Sequence, residues 1–349
     1  MAKISIIIPV YNVEEFLDKC FESIMAQTFK DFEVVVVNDG SKDGSAAICD
    51  RWAKDFDQIS VIHKENEGVA IARNLGISKS SGDYFYFIDP DDWIEPETLQ
   101  ENYDLALSGN YDMVIFGYQK ETVTNAGTQI SASKINERKL NDRLQVSDGL
   151  VPLLESGARF SIWNKLIRAA VVRDNNIVFP KFKRGQDIAF MLDVFKNITS
   201  LVSNPKIYYH QYAFVSVEKY NPDAVKNHVF FLRQFFNLYE GWMQKKQNYN
   251  YFVKLFVLWF FHVIPSSIAA NSRLTFGEKQ KALKAIFEEA EVTQYLDTFE
   301  LGKIHNKSIK LSLAILKAKS FLLLYIVTKM KLFMINNLNT SIFRKLYNK

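Results

Sequence analysis

The sequence predicts an α/β fold: a mostly parallel sheet with helices on both faces, plus a helical extension at the carboxyl terminus. Three observations predict it. Apolar runs rich in β-branched residues alternate with segments of helical spacing over the first 118 residues. A polar cluster closes each of the first four runs. From about residue 225 the pattern changes to aromatic-rich helical stretches and then to a basic tail.

The elements follow in order. "ISIIIPV" is a continuous apolar run, as expected of a strand buried on both faces. "VEEFLDKCFESIMAQ" places Phe16, Cys20 and Ile24 at helical spacing. "FEVVVVNDG" is a second buried strand, and "SKDGSAAICDRWAKDF" opens on a serine suited to an N-cap, with Ile48, Trp52 and Phe56 on one stripe. "ISVIHK", "GVAIARNLGISKS" and "YFYFIDP" continue as strand, helix and strand, and "YDMVIFGY" reads as another strand. Strands alternating with helices at this spacing argue for a parallel sheet. In such sheets ligands bind beyond the carboxyl ends of the strands. The ends here are "PVYN", "NDGS", the segment before "ENEG", and "DPDD", so all four converge on one crevice.

Composition narrows the function classes. With 349 residues, 48% hydrophobic and 23% charged, the chain has the balance of a packed protein. Its two cysteines, Cys20 and Cys49, provide neither a disulfide framework nor a CxxC metal pattern, and both are expected in the core of a cytosolic protein. No apolar stretch near twenty residues reads as a membrane span, and the apolar amino terminus is too short for a signal peptide. There is no GxGxxG after the first strand and no GxxxxGK[ST], so neither of the familiar phosphate cradles is present.

The run "YFYFIDPDDWIEP" poses the chemical question. A core strand ends in three acids, Asp89, Asp91 and Asp92, and buried carboxylates are costly unless something positive joins them. Mg²⁺ and Mn²⁺ take oxygen ligands, commonly one or two carboxylates plus substrate phosphates. An acidic start to the next helix is the plainer alternative for a lone DxDD. The other polar strand ends beside it favour the ion. Asp39 is placed to accept hydrogen bonds from a base or sugar, and Arg73 to reach a phosphate.

Together, "SIIIPVYNVEEFLDKCFESIMAQTF", "FEVVVVNDGSKDGS", "NEGVAIARNLGISKSSGDYFYFIDPDDW", "IWNKLIR" and "RGQDIAF" resemble the family-2 glycosyltransferases of the GT-A fold, over about the first 215 residues. The resemblance implies a nucleotide-sugar donor, a UDP-sugar, and a Mn²⁺ or Mg²⁺ cofactor. It implies that Pro9, Val10 and Tyr11 line the nucleotide pocket, that Asp39 contacts the uracil, and that Arg73 supports the base or diphosphate. Asp89 and Asp91 match the DxD pair, of which one aspartate engages the ribose and another binds the metal; Asp91 and Asp92 both stand as candidates for the metal. Family members read G-E-D where this chain has Gly185, Gln186 and Asp187, and the final aspartate is the general base. Gln186 removes a negative neighbour that would tend to raise the pKa of Asp187. Helix capping is a role Asp187 could fill at the same time. Trp163 and Lys165 are implied to wall the acceptor site, with a core role equally open to Trp163. His210 is a candidate to complete the metal site. The organisation implied is a catalytic domain over 1–215, with 1–118 its nucleotide-sugar half and 119–215 its acceptor half. Residues 120–147 are read as a surface loop or hairpin at the sheet edge.

A helical region over 216–300 follows, with faces available to pack on the catalytic domain, pair two copies as a homodimer, or approach lipid. Residues 301–349 carry ten lysines and arginines and no acid, whereas the first 300 residues carry a net charge of −6. On a single helix, Lys303, Lys307, Lys310 and Lys317 would fall within about 80°, with Ile304, Leu311, Ile315 and Leu322 on another face. That is the pattern of a helix lying on an anionic membrane surface, although a solvated lysine face has the same look. No motif supports nucleic-acid binding. The expectation is therefore a cytoplasmic enzyme, peripheral on the inner face of the plasma membrane, extending a lipid-linked saccharide by inverting transfer. The rival expectation is a non-catalytic sugar-nucleotide-binding subunit. A nucleotidyltransferase would want a Gly-rich basic loop after strand one, which "PVYNVEEF" is not.

Overall fold

A computed structural model describes residues 2–124, 127–133, 135–155, 160–182, 185–214, 224–239 and 246–337. The chain divides into two compact units, Met1–Val215 and Ser216–Lys349.

In the first unit, β1 (Ile4–Val10) is buried along its whole length, which explains its unbroken apolar run. It pairs in parallel with β2 (Phe32–Asp39) and β4 (Tyr84–Phe87), and β2 pairs in parallel with β3 (Ile59–Lys64). The crossovers are α1 (Glu14–Met25), α2 (Ser45–Asp55) and α3 (Val69–Lys79). Helix α3 lies close on the sheet because it presents Gly76, where a Cβ would stand 2.5 Å from the Ile7 side chain. Cys20 and Cys49 are buried and free. The serine cap expected for α2 is not used: its N-cap is Gly44, and Asp43 Oδ1 accepts from the Ser45 amide at 3.0 Å instead.

The rest of the unit is mixed. A two-residue β5 (Trp93–Ile94) and α4 (Thr98–Ser108) lead to β6 (Met113–Thr124), which turns back as β7 (Gly127–Ser133). The polar segment 120–147 is thus largely hairpin, followed by β8 (Arg138–Leu140) and the start of α5 (Arg143–Leu153). Then come β9 (Lys165–Arg168), α6 (Ala169–Asp174), α7 (Gln186–Asn197) and β10 (Leu201–Phe214). The sheet order is β3-β2-β1-β4-β9-β6-β10-β5, with β7 on β6 and β8 on β10. Strand β9 runs antiparallel to both β4 and β6, and so joins a parallel half to a mixed half.

The second unit is helical: α8 (Ala224–Tyr239), α9 (Lys246–Val257), a π-helical turn Leu258–Val263, α10 (Ile264–Ala270), α11 (Phe276–Glu288), α12 (Ala290–Thr298), α13 (Lys307–Lys317) and α14 (Phe321–Asn337). Two expectations are corrected here. The continuous helix Tyr249–Ala270 is long and apolar enough to cross a membrane, and 72% of its apolar stretch is buried inside the protein, as in a core helix. The tail does not form one helix from Lys303 to Leu322. Lys303 lies in a 3₁₀ turn, Ile304 is buried, and the chain breaks at Lys319, whose φ of 49° is left-handed. The lysine face therefore reduces to Lys307, Lys310 and Lys317 on α13.

Candidate active site

The turns after β1 and β2 lock together. The Asn12 amide donates to Ser41 Oγ at 3.1 Å, Asn12 Oδ1 accepts from the Lys42 amide at 2.7 Å, and the Val13 amide donates to Ser45 Oγ at 3.0 Å. Gly40 permits this turn: its φ is 73°, and a Cβ there would meet the Asn66 amide at 2.8 Å. Pro9 and Val10 are buried within β1, while Tyr11 is exposed. Tyr11, Gly40, Lys42, His63, Lys64, Glu65 and Asn66 line a recess of about 690 Å³. That volume lies in the range of small-molecule sites.

Asp39 lies buried beside it. Its Oδ1 accepts from Lys64 Nζ at 2.8 Å and from the Glu67 amide at 3.0 Å, and its Oδ2 accepts from the Gly68 amide at 2.8 Å. Burial pushes the carboxyl up, but the lysine and the two amides outweigh it and leave Asp39 below the usual carboxylate range. Sequence reading missed Lys64 as the partner. The available signal was a strand, "ISVIHK", ending on a cation opposite another ending on an anion.

Three predicted residues meet at one guanidinium. Arg73, buried on α3, donates through Nη2 to Asp89 Oδ1 at 2.8 Å and through Nη1 to Asp187 Oδ1 at 2.6 Å. Its Nε is buried without a partner, and the Phe179 ring lies 5.4 Å from the guanidinium carbon. Asp187 stands in the first turn of α7, behind an N-cap, Gly185, of left-handed φ 81° and with no side-chain cap. The capping role proposed for Asp187 is thus not observed. Burial raises the Asp187 carboxyl above its ordinary value, and Arg73 offsets only part of the rise.

The acidic turn separates its members. Asp89 and Asp91 are half-exposed, whereas Asp92 points into the interior. There Asp92 Oδ1 accepts from the Tyr212 amide at 2.7 Å, and Oδ2 accepts from the Tyr209 hydroxyl, which in turn accepts from the Asp89 amide at 3.3 Å. Burial, reinforced by Asp89 and Asp91, lifts Asp92 to about 9; burial and Asp89 lift Asp91 to about 6. Asp92 thus ties the turn to β10 through both of its carboxyl oxygens, which leaves it less open to an ion than Asp91. Asp91 is mostly ionised near neutral pH and remains reachable. No group of three His, Cys, Asp or Glu side chains able to hold a metal ion occurs among the described residues.

His210 is engaged away from these carboxylates. Its Nε2 lies 2.7 Å from Glu95 Oε1, and its ring stacks on Trp93 at 3.6 Å and 6°. Trp163 is buried, stacked on Tyr209 at 4.5 Å and edge-on to Tyr118. Lys165 is fully buried, donating to the Ser161 carbonyl at 2.5 Å and Asn164 Oδ1 at 2.8 Å, and burial pushes its ammonium well below the usual lysine range. Gln186 is buried with its Oε1 unpartnered.

The family profile described as "Glycosyl transferase family 2" matches residues 5–167, which hold β1 to β9 and the whole acidic turn. Over those residues the chain is similar to glycosyl transferase family 2. The chain is 36% identical over 189 residues to the glycosyltransferase GlyA of Streptococcus pneumoniae, covering 53% of this chain and 27% of that one. A Bacillus subtilis protein named as a glycosyltransferase, EpsH, is 31% identical over 225 residues, covering 62% of this chain and 63% of the other. The chain thus spans less than two thirds of each of these relatives. In fold it is similar to the crystal structure of S. aureus TarS 1-349 in complex with UDP, with a TM-score of 0.69, 20% identity, and coverage of 95% of this chain and 91% of that chain.

Proposed function

We propose that the chain is a metal-dependent, inverting glycosyltransferase, moving a sugar from a UDP-sugar to a hydroxyl of a lipid-linked polysaccharide precursor. The observation that carries this reading is the single guanidinium of Arg73, which holds a DxD carboxylate, Asp89, and the candidate base, Asp187, in one contact network. The donor and base functions are therefore one arginine apart. The complexes of the similarly folded TarS with UDP and with UDP-GlcNAc support a uridine nucleotide as donor.

In this mechanism Asp187 accepts the proton of the acceptor hydroxyl as its oxygen attacks the anomeric carbon. The bond from that carbon to the nucleoside diphosphate breaks on the opposite face, which inverts the configuration. The raised basicity of Asp187 strengthens it as a proton acceptor. Arg73 keeps positive charge where the diphosphate departs. Asp39 and the Tyr11 recess hold the nucleoside end. The residues fit a hard cation: Asp91 is reachable, crowded by Asp89, and offers oxygen, and the diphosphate would complete the ligand set. A bound Mn²⁺ or Mg²⁺ ion would neutralise charge on the leaving diphosphate.

The test is a UDP-release screen over several nucleotide sugars, with and without Mn²⁺ and with membrane extracts supplying acceptors. Release of UDP from one sugar nucleotide, abolished by chelation, is expected. Release from none would favour a non-catalytic, sugar-nucleotide-binding subunit.

A further inference from the structure

Over residues 321–330, helix α14 is inside out for a helix on a soluble surface. Its buried side carries Leu324 and Thr328, the latter satisfying its hydroxyl by donating to the Leu324 carbonyl at 2.7 Å. Leu322, Leu323, Ile326 and Met330 are instead 42–59% exposed. On a helical wheel these four and Lys329 fall within about 120°, opposite the buried pair. The exposed ring of Phe276 extends the patch, packing edge-on at 5.2 Å against Tyr325. Apolar side chains clustered in this way mark an interaction surface.

Charge decides among occupants. Lys319 at the turn into α14 and Lys329 on the helix are exposed at the rim of the patch, and exposed Leu311 on α13 sits beside exposed Lys307 and Lys310. No acid occurs from residue 301 onward. Pairing the patch with itself in a two-fold dimer would bring lysines toward lysines. Apolar side chains flanked by the ammonium groups of Lys319 and Lys329 match the acyl boundary and anionic headgroups of a bilayer. We propose that the α14 face, Leu322, Leu323, Ile326 and Met330 rimmed by Lys319 and Lys329, docks the protein on an anionic membrane surface. The apolar side chains enter the acyl boundary and the lysines meet phosphate headgroups. On the cytoplasmic leaflet this would bring the chain to a lipid-linked acceptor, but the docking itself does not depend on the catalytic reading.

Flotation of the full chain with phosphatidylcholine vesicles, with and without phosphatidylglycerol, tests it. The wild type should float only with the anionic vesicles and should be released by added salt. Lys319→Gln with Lys329→Gln should weaken binding roughly 30-fold, about 5-fold for each charge. Leu322→Ser with Ile326→Ser should weaken it more than about 10-fold, with the thermal transition retained because both side chains are exposed. Flotation of both variants like the wild type would overturn the proposal. So would a wild type that ignores vesicles but forms a dimer dispersed by the leucine and isoleucine changes, since the occupant would then be a second copy. Vesicle binding by a protein without turnover would leave this proposal standing and count against the glycosyltransferase reading alone.

Discussion

The two halves of the sheet in the first unit differ in kind. The parallel half, β3-β2-β1-β4, is built from neighbours in sequence, and its strand ends carry Tyr11, Asp39 and the acidic turn. The mixed half, β9-β6-β10-β5, is built from long-range antiparallel pairs and a parallel β6–β10 pair, and with it come α7 and Asp187. The candidate site belongs to neither half alone. Among the ties that cross the seam are two at the site: Arg73 on α3 grips Asp187, and Tyr209 and Tyr212 on β10 grip Asp92. The first joins groups assigned to chemistry and the second fixes a turn. Substitutions that separate the two ties test that distinction.

Of Arg73→Lys, Asp91→Asn and Asp92→Asn, the first should do the most damage. Lysine retains the charge but loses the fork that spans two carboxylates, so turnover should fall on the order of 10²- to 10³-fold with the fold preserved. UDP release and a thermal melt measure both; near-normal turnover would mean that the bridge is not catalytic. Asp91→Asn should lower turnover by about 10²-fold and raise the Mn²⁺ concentration needed for half-maximal rate. A metal titration unchanged by the substitution would place the ion elsewhere.

Asp92→Asn should have the smallest effect on turnover, because asparagine can accept from the Tyr212 amide and donate to Tyr209. Its signature is in stability. The Asp92 carboxyl sits at about 9 in the folded chain against an ordinary 3.8, so between these values the folded state binds more protons than the unfolded state. Wild-type stability thus falls as pH rises through this window. The variant lacks this slope, so its melting temperature relative to wild type should climb from pH 5 to pH 8. A flat difference would show Asp92 ionised in the folded protein.

The same seam divides what was legible in the sequence. Strands β1 to β4 and their helices were readable because each buries a local run and each polar end falls at the same edge. Asp39, Arg73, Asp89 and Asp187 could be nominated as site residues. That one arginine joins two of them, 16 and 114 residues away, could not be foreseen, since no local period encodes such a contact. The inward turn of Asp92 was equally hidden, because its partners lie on β10, 117 and 120 residues further on. Strand β9 is four residues long and is held by β4 and β6, both distant in sequence. In the second unit, a wheel drawn from Lys303 to Leu322 assumed one helix, and Lys319 breaks it.

The central claim is that the two halves divide donor binding from proton removal, with Asp187 the base. Asp187→Asn tests it most directly, by measuring UDP release and, separately, the dissociation constant of the sugar-nucleotide donor. The account predicts turnover lower by about 10²- to 10⁴-fold with donor affinity largely retained. Wild-type turnover in that variant would contradict it.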